Sequence, residues 1–213
     1  MRRLGGFSLV LLLAACGSKP QAPDWQVGAH GALERYESAY LAGDQRAADA
    51  EFARARSQLG ATGRADLVAR AELTRCALQV ASLEFDACPG FEPLRGDAGA
   101  AERAYADYLQ GLAVPADQLP VQHRAAAGGR ADAASLAAVQ DPLARLVAAG
   151  VLLRSNRASP DVLRVAADTA SERGWRRPLA AWLGAQLRLA EQAGATEQAE
   201  RLRRRLALVT GTR

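Results

Sequence analysis

Helix breakers recur through the chain at intervals that leave room for one helix and little more. Gly43, Gly111, Gly174 and Gly194 each follow a stretch whose apolar residues repeat every three or four positions, and Asp141-Pro142 and Ser159-Pro160-Asp161 each open another. A short polar N-cap with proline in the first turn starts a helix, and glycine beyond the last apolar residue stops one. The pattern predicts helices over 27–41, 44–59, from 65 onward, 100–110, from 142 onward, 160–173, 176–193 and 196–209. Two prolines and three glycines make 86–99 a loop, and Pro115, Pro120, Gly128 and Gly129 cut 112–140 into short helical pieces. Strand formers are scarce: aromatic residues are 5% of the chain, whereas alanine, leucine and arginine, all strong helix formers, dominate it. The reading is an all-α fold in which short connections make neighbouring helices antiparallel: an array of helical hairpins, either an α-solenoid or a compact bundle.

The stripes say which helices lie deep. Ala48, Phe52, Ala55 and Leu59 form one narrow face of small residues that lets a neighbouring backbone approach closely. The third helix carries two stripes, Leu67, Ala71, Thr74, Leu78, Ala81 and Phe85 on one and Leu73, Ala77 and Val80 on the other, which predicts a central, buried helix. The apolar run 146–153 is too short to span a bilayer and reads as another buried helix. Leu179, Trp182, Leu183, Leu187 and Ala190 line one side of the segment 176–193.

The amino terminus follows a different logic. Arg2 and Arg3 precede an apolar stretch from Leu4 to Leu13, followed by the small residues Ala14 and Ala15 and then Cys16. A basic start, a short apolar centre and small residues before a cut describe a secretory signal. The string Leu13-Ala14-Ala15-Cys16 resembles the lipobox of bacterial lipoprotein precursors. The resemblance implies removal of residues 1–15 and acylation of Cys16, which anchors the chain in a membrane. Gly17 stands where many lipoproteins retained at the inner membrane have aspartate, which implies outer-membrane delivery, facing the periplasm. The polar, proline-containing segment 16–24 reads as a tether, with the all-helical periplasmic domain over 25–213. Seven residues from Gly17 to Pro23 reach at most ~25 Å, so the domain is held close to the bilayer.

Export gives the two remaining cysteines a meaning. Cys76 and Cys88 read as a disulfide pair closing a short loop, worth about 3 kcal/mol on the chain-entropy model, with two buried free thiols as the alternative. The bridge constrains its helix. Continued to Phe85, the helix would carry the chain ~13 Å past Cys76 with too few residues left to return, so a bridged chain ends that helix near Ser82 to Glu84.

Charge and motif exclude several functions. Losing Arg2 and Arg3 from 27 basic residues leaves a balance near +2 against 23 acids, which gives no argument for nucleic acid despite a pI near 9.3. Lys19 is the only lysine, so the helical domain has none for Schiff-base or phosphate-loop chemistry. His30 and His123 have no partner at a metal-ligand spacing, no hydrolase or phosphate-loop motif occurs, and no cofactor or metal is implied. Glu84, Asp86 and Glu92 are the acids that a glycan-cleaving pair would draw on, though their spacing matches solvated loop acids. Arg201, Arg203, Arg204 and Arg205 read as the solvated side of a helix whose buried stripe is Leu202, Leu206 and Val209, with contact to lipid phosphate or an acidic partner as the alternative. Trp175, Arg176 and Arg177 make the most contact-like surface, since exposed tryptophan and arginine dominate interfaces, whereas Trp182 falls on its helix stripe and belongs in the core.

The segment 39–55 resembles the turn and second helix of a tetratricopeptide repeat, through Gly43-Asp44 and the small, aromatic, small series Ala48, Phe52 and Ala55. Leu183-Gly184, Gly194 and Ala199 resemble it more loosely, and Tyr36 and Tyr40 sit off the family's register. Lipoproteins with such domains include assembly factors for outer-membrane proteins and pilotins. The resemblance implies a non-catalytic adaptor or assembly factor that binds another envelope protein. The alternatives are an enzyme or carrier acting on cell-wall or lipid material, and a structural envelope protein.

Overall fold

The computed structural model describes residues 22–128 and 132–211, and the expected signal peptide, Cys16 and the first part of the expected tether lie outside the described residues. Among those described residues the chain is all-helical: α1 (Asp24–Ala42), α2 (Gln45–Gly60), α3 (Ala65–Ala81), α4 (Ala100–Leu109), α5 (Val121–Gly128), α6 (Ala133–Ala137), α7 (Pro142–Arg154), α8 (Pro160–Glu172), α9 (Arg176–Gln192) and α10 (Thr196–Thr210), with short 3-10 turns at Glu92–Leu94 and Ala116–Gln118. None of these helices is long and apolar enough to cross a membrane.

Capping explains the boundaries. Asp44 accepts from the Ala47 N–H at 3.0 Å, Asp141 from Ala144 at 2.6 Å and Ser159 from Val162 at 3.3 Å, each satisfying an amide that its helix leaves unpaired. At the other end α8 closes on Gly174 at φ +66°, where Trp175 N–H donates to Ala170 O and Gly174 N–H to Ser171 O. That pair of bonds is the Schellman closure. The same pair closes α3 on Leu83 (φ +60°) and α7 on Asn156 (φ +56°), neither of which is glycine. Leu83 packs partly against the core, whereas Asn156 is exposed. Asn156→Ala therefore places a Cβ-bearing residue without asparagine's local hydrogen bonding in the left-handed region, and urea titration is expected to show a loss of about 1 kcal/mol. Asn156→Gly should match or exceed the wild type.

α3 lies between two apolar clusters. Val68, Ala71 and Leu78 join Tyr36, Tyr40, Phe52 and Leu59 of α1 and α2. Leu73, Ala77 and Val80 join Phe91, Leu109, Val147, Leu163, Trp182 and Leu202 from the rest of the chain. Leu67, Ala71 and Leu78 of the first stripe face the smaller cluster and the second stripe faces the larger one, but Ala81 joins the larger cluster, Thr74 lines a cleft beside Leu73, and Phe85 lies beyond the helix, because α3 ends at Ala81; Phe85 is 40% exposed, with the Arg154 guanidinium 5.6 Å from its ring. α1 pairs with α2, and α7, α8 and α9 each pair with the next helix in the chain. α3 also packs on α7 and α1 on α9, so the hairpins fold back on one another instead of touching neighbours alone.

The loop after α3 is held against that helix near its middle, at Cys88 and Gly90. Cys76 and Cys88 form a disulfide with Cα atoms 5.6 Å apart, and the helix stops at Ser82, inside the window the bridge requires. The buried Glu72 carboxylate, which accepts from Arg56 Nε at 2.8 Å, sits so close to Gly90 that a Cβ there would overlap it.

Candidate functional site

Where α3, α4, α5 and α7 meet, the chain leaves a cleft with two lobes that share Thr74, Tyr105 and Pro120 as walls. The inner lobe, about 200 Å³, is lined by His123, Asp141, Leu143, Ala144 and Val147 as well. The outer lobe, about 170 Å³, is lined by Arg70, Leu73 and Glu102, and the Arg70–Glu102 ion pair, 2.8 Å, stands in its wall.

Tyr105 and His123 line the inner lobe, while Tyr108, beside them, lines a separate hollow. Tyr105 Oη lies 3.1 Å from His123 Nε2, and the two rings stack with centroids 5.1 Å apart. The Tyr108 ring lies 5.6 Å from the imidazole. His123 is 3% exposed, and its Nδ1 has no hydrogen-bond partner. Burial pushes its pKa down to about 4, with the Asp141 charge acting the other way, so the ring is neutral at physiological pH. Burial raises both tyrosines well above their usual range. Asp141 is exposed at the edge of the inner lobe, where Oδ1 caps α7. Its charge extends to Glu37 on α1, whose carboxyl is raised first by burial and then by Asp141 and Glu34. The inner lobe thus sets a neutral imidazole, the Tyr105 ring and the Asp141 carboxylate beside an apolar wall of Leu143 and Val147.

A second hollow, about 370 Å³, opens beside the first turns of α1, between the end of α2 and the start of α3. Trp25, Ala29, Leu33, Leu59 and Leu67 line it, and Val27 nearby is 60% exposed.

The residues singled out from sequence fall elsewhere. Trp175, Arg176 and Arg177 do not form one exposed surface. Trp175 is half-buried at the start of α9, packed against both clusters with the Arg173 guanidinium 5.5 Å from its ring. Arg177 is an internal clamp: Nε donates to Tyr40 O at 2.8 Å, one terminal nitrogen to Glu84 at 2.9 Å and the other to Gln45 at 2.6 Å. Its guanidinium also lies 4.2 Å from the Tyr40 ring, so it ties α9 to α1, α2 and the end of α3. Only Arg176 is exposed. Glu84, Asp86 and Glu92 do not converge, since Glu84 meets Arg177, Asp86 accepts the Cys88 N–H at 2.8 Å and Glu92 pairs with Arg95 at 3.0 Å. Among the described residues the one group of three possible metal ligands is Cys76, Asp86 and Cys88, whose sulfurs are bonded to each other. Arg201, Arg203, Arg204 and Arg205 are exposed around buried Leu202, with Arg201 on Glu197 and Arg203 on Glu191. His30 is exposed and 3.4 Å from Glu34.

The sequence reading missed the Tyr105–His123–Asp141 cluster. Tyr105 and Tyr108 share a helix face, but His123 reaches them only because 111–120 turns back, and Asp141 announces itself in sequence solely as a helix cap. No family model, no characterised protein and no solved structure matches this chain.

Proposed function

We propose that this chain is an envelope lipoprotein, anchored through Cys16 in the outer membrane and facing the periplasm, whose helical domain binds another envelope protein as a non-catalytic adaptor or assembly factor. The observation that carries the reading is the string Leu13-Ala14-Ala15-Cys16 after a basic and apolar start. The disulfide supports it, since such bonds persist in oxidising compartments. The degenerate tetratricopeptide-like segment supports the adaptor role, with Phe52 of its second helix packed on Tyr36 of its first at 5.0 Å between centroids. A carrier reading has its own support in the small cleft at His123.

Growth with a clickable palmitate analogue, followed by crosslinking in intact cells, tests both halves. The wild type is expected to take up label and Cys16→Ser to take up none. One dominant partner should co-purify with the wild type and fall away with the unanchored variant. An unlabelled wild type would remove the anchor; a labelled protein with no partner above background would remove the adaptor.

A further inference from the structure

The hollow that Tyr108 lines is separate from the cleft at His123 and lies where α4 and α7 both end. We propose that it binds the carboxylate of a ligand with a short apolar body, with Arg157 as the cationic partner and the Tyr108 hydroxyl as a second donor. Its volume is about 310 Å³, within the ~300–1,000 Å³ of small-molecule sites. Leu112, Ala113, Val114 and Ala127 give it apolar walls, and Leu112 among them is 55% exposed.

Two polar groups of this hollow have hydrogen-bond capacity to spare. Tyr108 is 4% exposed, yet its hydroxyl makes no hydrogen bond among the described residues. That hydroxyl keeps accessible surface, unlike Tyr40 Oη and His123 Nδ1, which are unpartnered and sealed from solvent. A buried phenol ordinarily finds a partner, so one that opens on a hollow without a partner is available to a ligand. Arg157 is the second group. Its Nε donates to Ser155 Oγ at 3.1 Å, and that hydroxyl donates in turn to Val151 O at 2.8 Å, which holds the guanidinium in place. The terminal nitrogens of Arg157 meet no acceptor among the described residues. Its charge reaches the Tyr108 phenol, where it opposes the upward push of burial on the pKa.

Charge decides which ligand fits. Among the described residues that line the hollow there is no acid, and Arg157 is the one charged group. Helix carboxyl ends ordinarily disfavour an anion, because their last carbonyls are unpaired. Here those carbonyls are taken. Gly111 N–H donates to Tyr108 O at 2.9 Å, Leu112 N–H to Asp107 O at 3.1 Å and Arg154 Nη1 to Leu109 O at 3.3 Å. At the end of α7, Arg157 N–H donates to Leu152 O at 2.8 Å and Asn156 N–H to Leu153 O at 3.0 Å. A carboxylate suits what remains, since a guanidinium fork matches its two oxygens and charge-assisted bonds are roughly twice as strong as neutral ones. One guanidinium balances one negative charge, which favours a carboxylate over a phosphate dianion. A free short-chain acid carries this chemistry, and so does the carboxyl end of a peptide whose last residue is apolar. The inference does not depend on the anchor or on the adaptor reading.

The test is NMR titration of the ¹⁵N-labelled full-length protein with sodium hexanoate at pH 7.5, beside 1-hexanol and hexylammonium as bodies of the same length. The amides of Gly111, Leu112, Ala113 and Arg157 are expected to shift saturably with hexanoate. Hexanoate should bind at least tenfold more tightly than hexanol, with no binding of hexylammonium. Arg157→Gln, at an exposed position, should weaken hexanoate binding at least tenfold. Tyr108→Phe removes only a hydroxyl that has no protein partner, so it should fold as the wild type does and bind hexanoate at least threefold more weakly. Acetyl-Ala-Ala-Leu with a free carboxylate, beside its carboxamide, separates the two sources. Binding tighter than hexanoate and lost in the amide assigns the site to a peptide end, and binding weaker than hexanoate assigns it to a free acid. Equal affinity for the three hexyl probes, no hexanoate binding, or a folded variant of either residue with unchanged affinity would each overturn the proposal.

Discussion

Trp182→Ala is expected to destabilise the protein by about 4–5 kcal/mol, the largest effect of any single truncation considered for the core. Trp182 is fully buried in the larger cluster. Truncating a buried aromatic to alanine typically costs about 3–5 kcal/mol through lost transfer energy and the cavity left behind. A second cost falls on α3. The indole Nε1 donates to Ala81 O at 3.0 Å, one of the last carbonyls of that helix, which has no partner within its own helix. Without the indole that oxygen is buried and unpaired, worth roughly 1–3 kcal/mol more unless water enters the cavity. Urea denaturation should show the midpoint falling with the slope unchanged, and the melting temperature falling by roughly 8–20 °C for a chain of this size. Trp182→Phe retains most of the volume and loses the bond, so it should cost about 1–3 kcal/mol. A loss under 1 kcal/mol for Trp182→Ala would mean that α9 is not packed on the end of α3.

Gly150→Ala should also destabilise, by about 3 kcal/mol, and here the sign is the informative part. In an exposed helix interior the same change stabilises by roughly 0.5–1 kcal/mol, because alanine loses less backbone entropy and is the best helix former. Gly150 lies inside α7 at its crossing with α3. A Cβ there would run into the Val80 carbonyl oxygen and would stand 2.8 Å from Val80 Cγ1 and 3.0 Å from the Val80 carbonyl carbon. Two of these atoms are backbone, so no rotamer change relieves the collision and the helices must separate. Overpacking of this kind costs about 1–3 kcal/mol and occasionally more, and the larger cluster on both sides of the crossing would loosen with it. Thermal denaturation of Gly150→Ala and Gly150→Val should show a graded loss. A stabilised Gly150→Ala would contradict the close approach of α7 to α3.

Most helix boundaries were legible because their causes are local. Asp141-Pro142 and Ser159-Pro160 specify their starts through side chains that bond amides three residues on. Gly174 and Gly194 specify their ends because a residue in the left-handed region is required there. The two-sided burial of α3 was likewise legible, though not every member of its first stripe, as was the burial of 146–153, because periodicity reports which faces avoid water. Local signals failed where the stop was not a glycine: α3 closes on Leu83, so Phe85 reads as part of a stripe it does not reach. The segment 112–140 gave breakers without periodicity, and its pieces, α5 and α6, take their positions from what they cover.

The candidate site was hardly legible at all. Trp175, Arg176 and Arg177 are adjacent in sequence and look alike as contact residues, yet packing makes Arg177 a four-way clamp, half-buries Trp175 and leaves Arg176 in solvent. His123 looked featureless because its partners, Tyr105, Tyr108 and Asp141, lie 15 to 18 residues away on other elements. By itself the sequence determined the all-α class and the helix boundaries set by caps and glycines, and it set where α3 must end only on the condition that Cys76 and Cys88 are bridged, since each depends on neighbours along the chain. Only the tertiary structure decided that α7 crosses α3 at Gly150, that Trp182 caps a carbonyl of α3, and that a neutral histidine, a tyrosine and an aspartate share one cleft. Those depend on contacts between residues far apart in sequence, whose free energy no local pattern records.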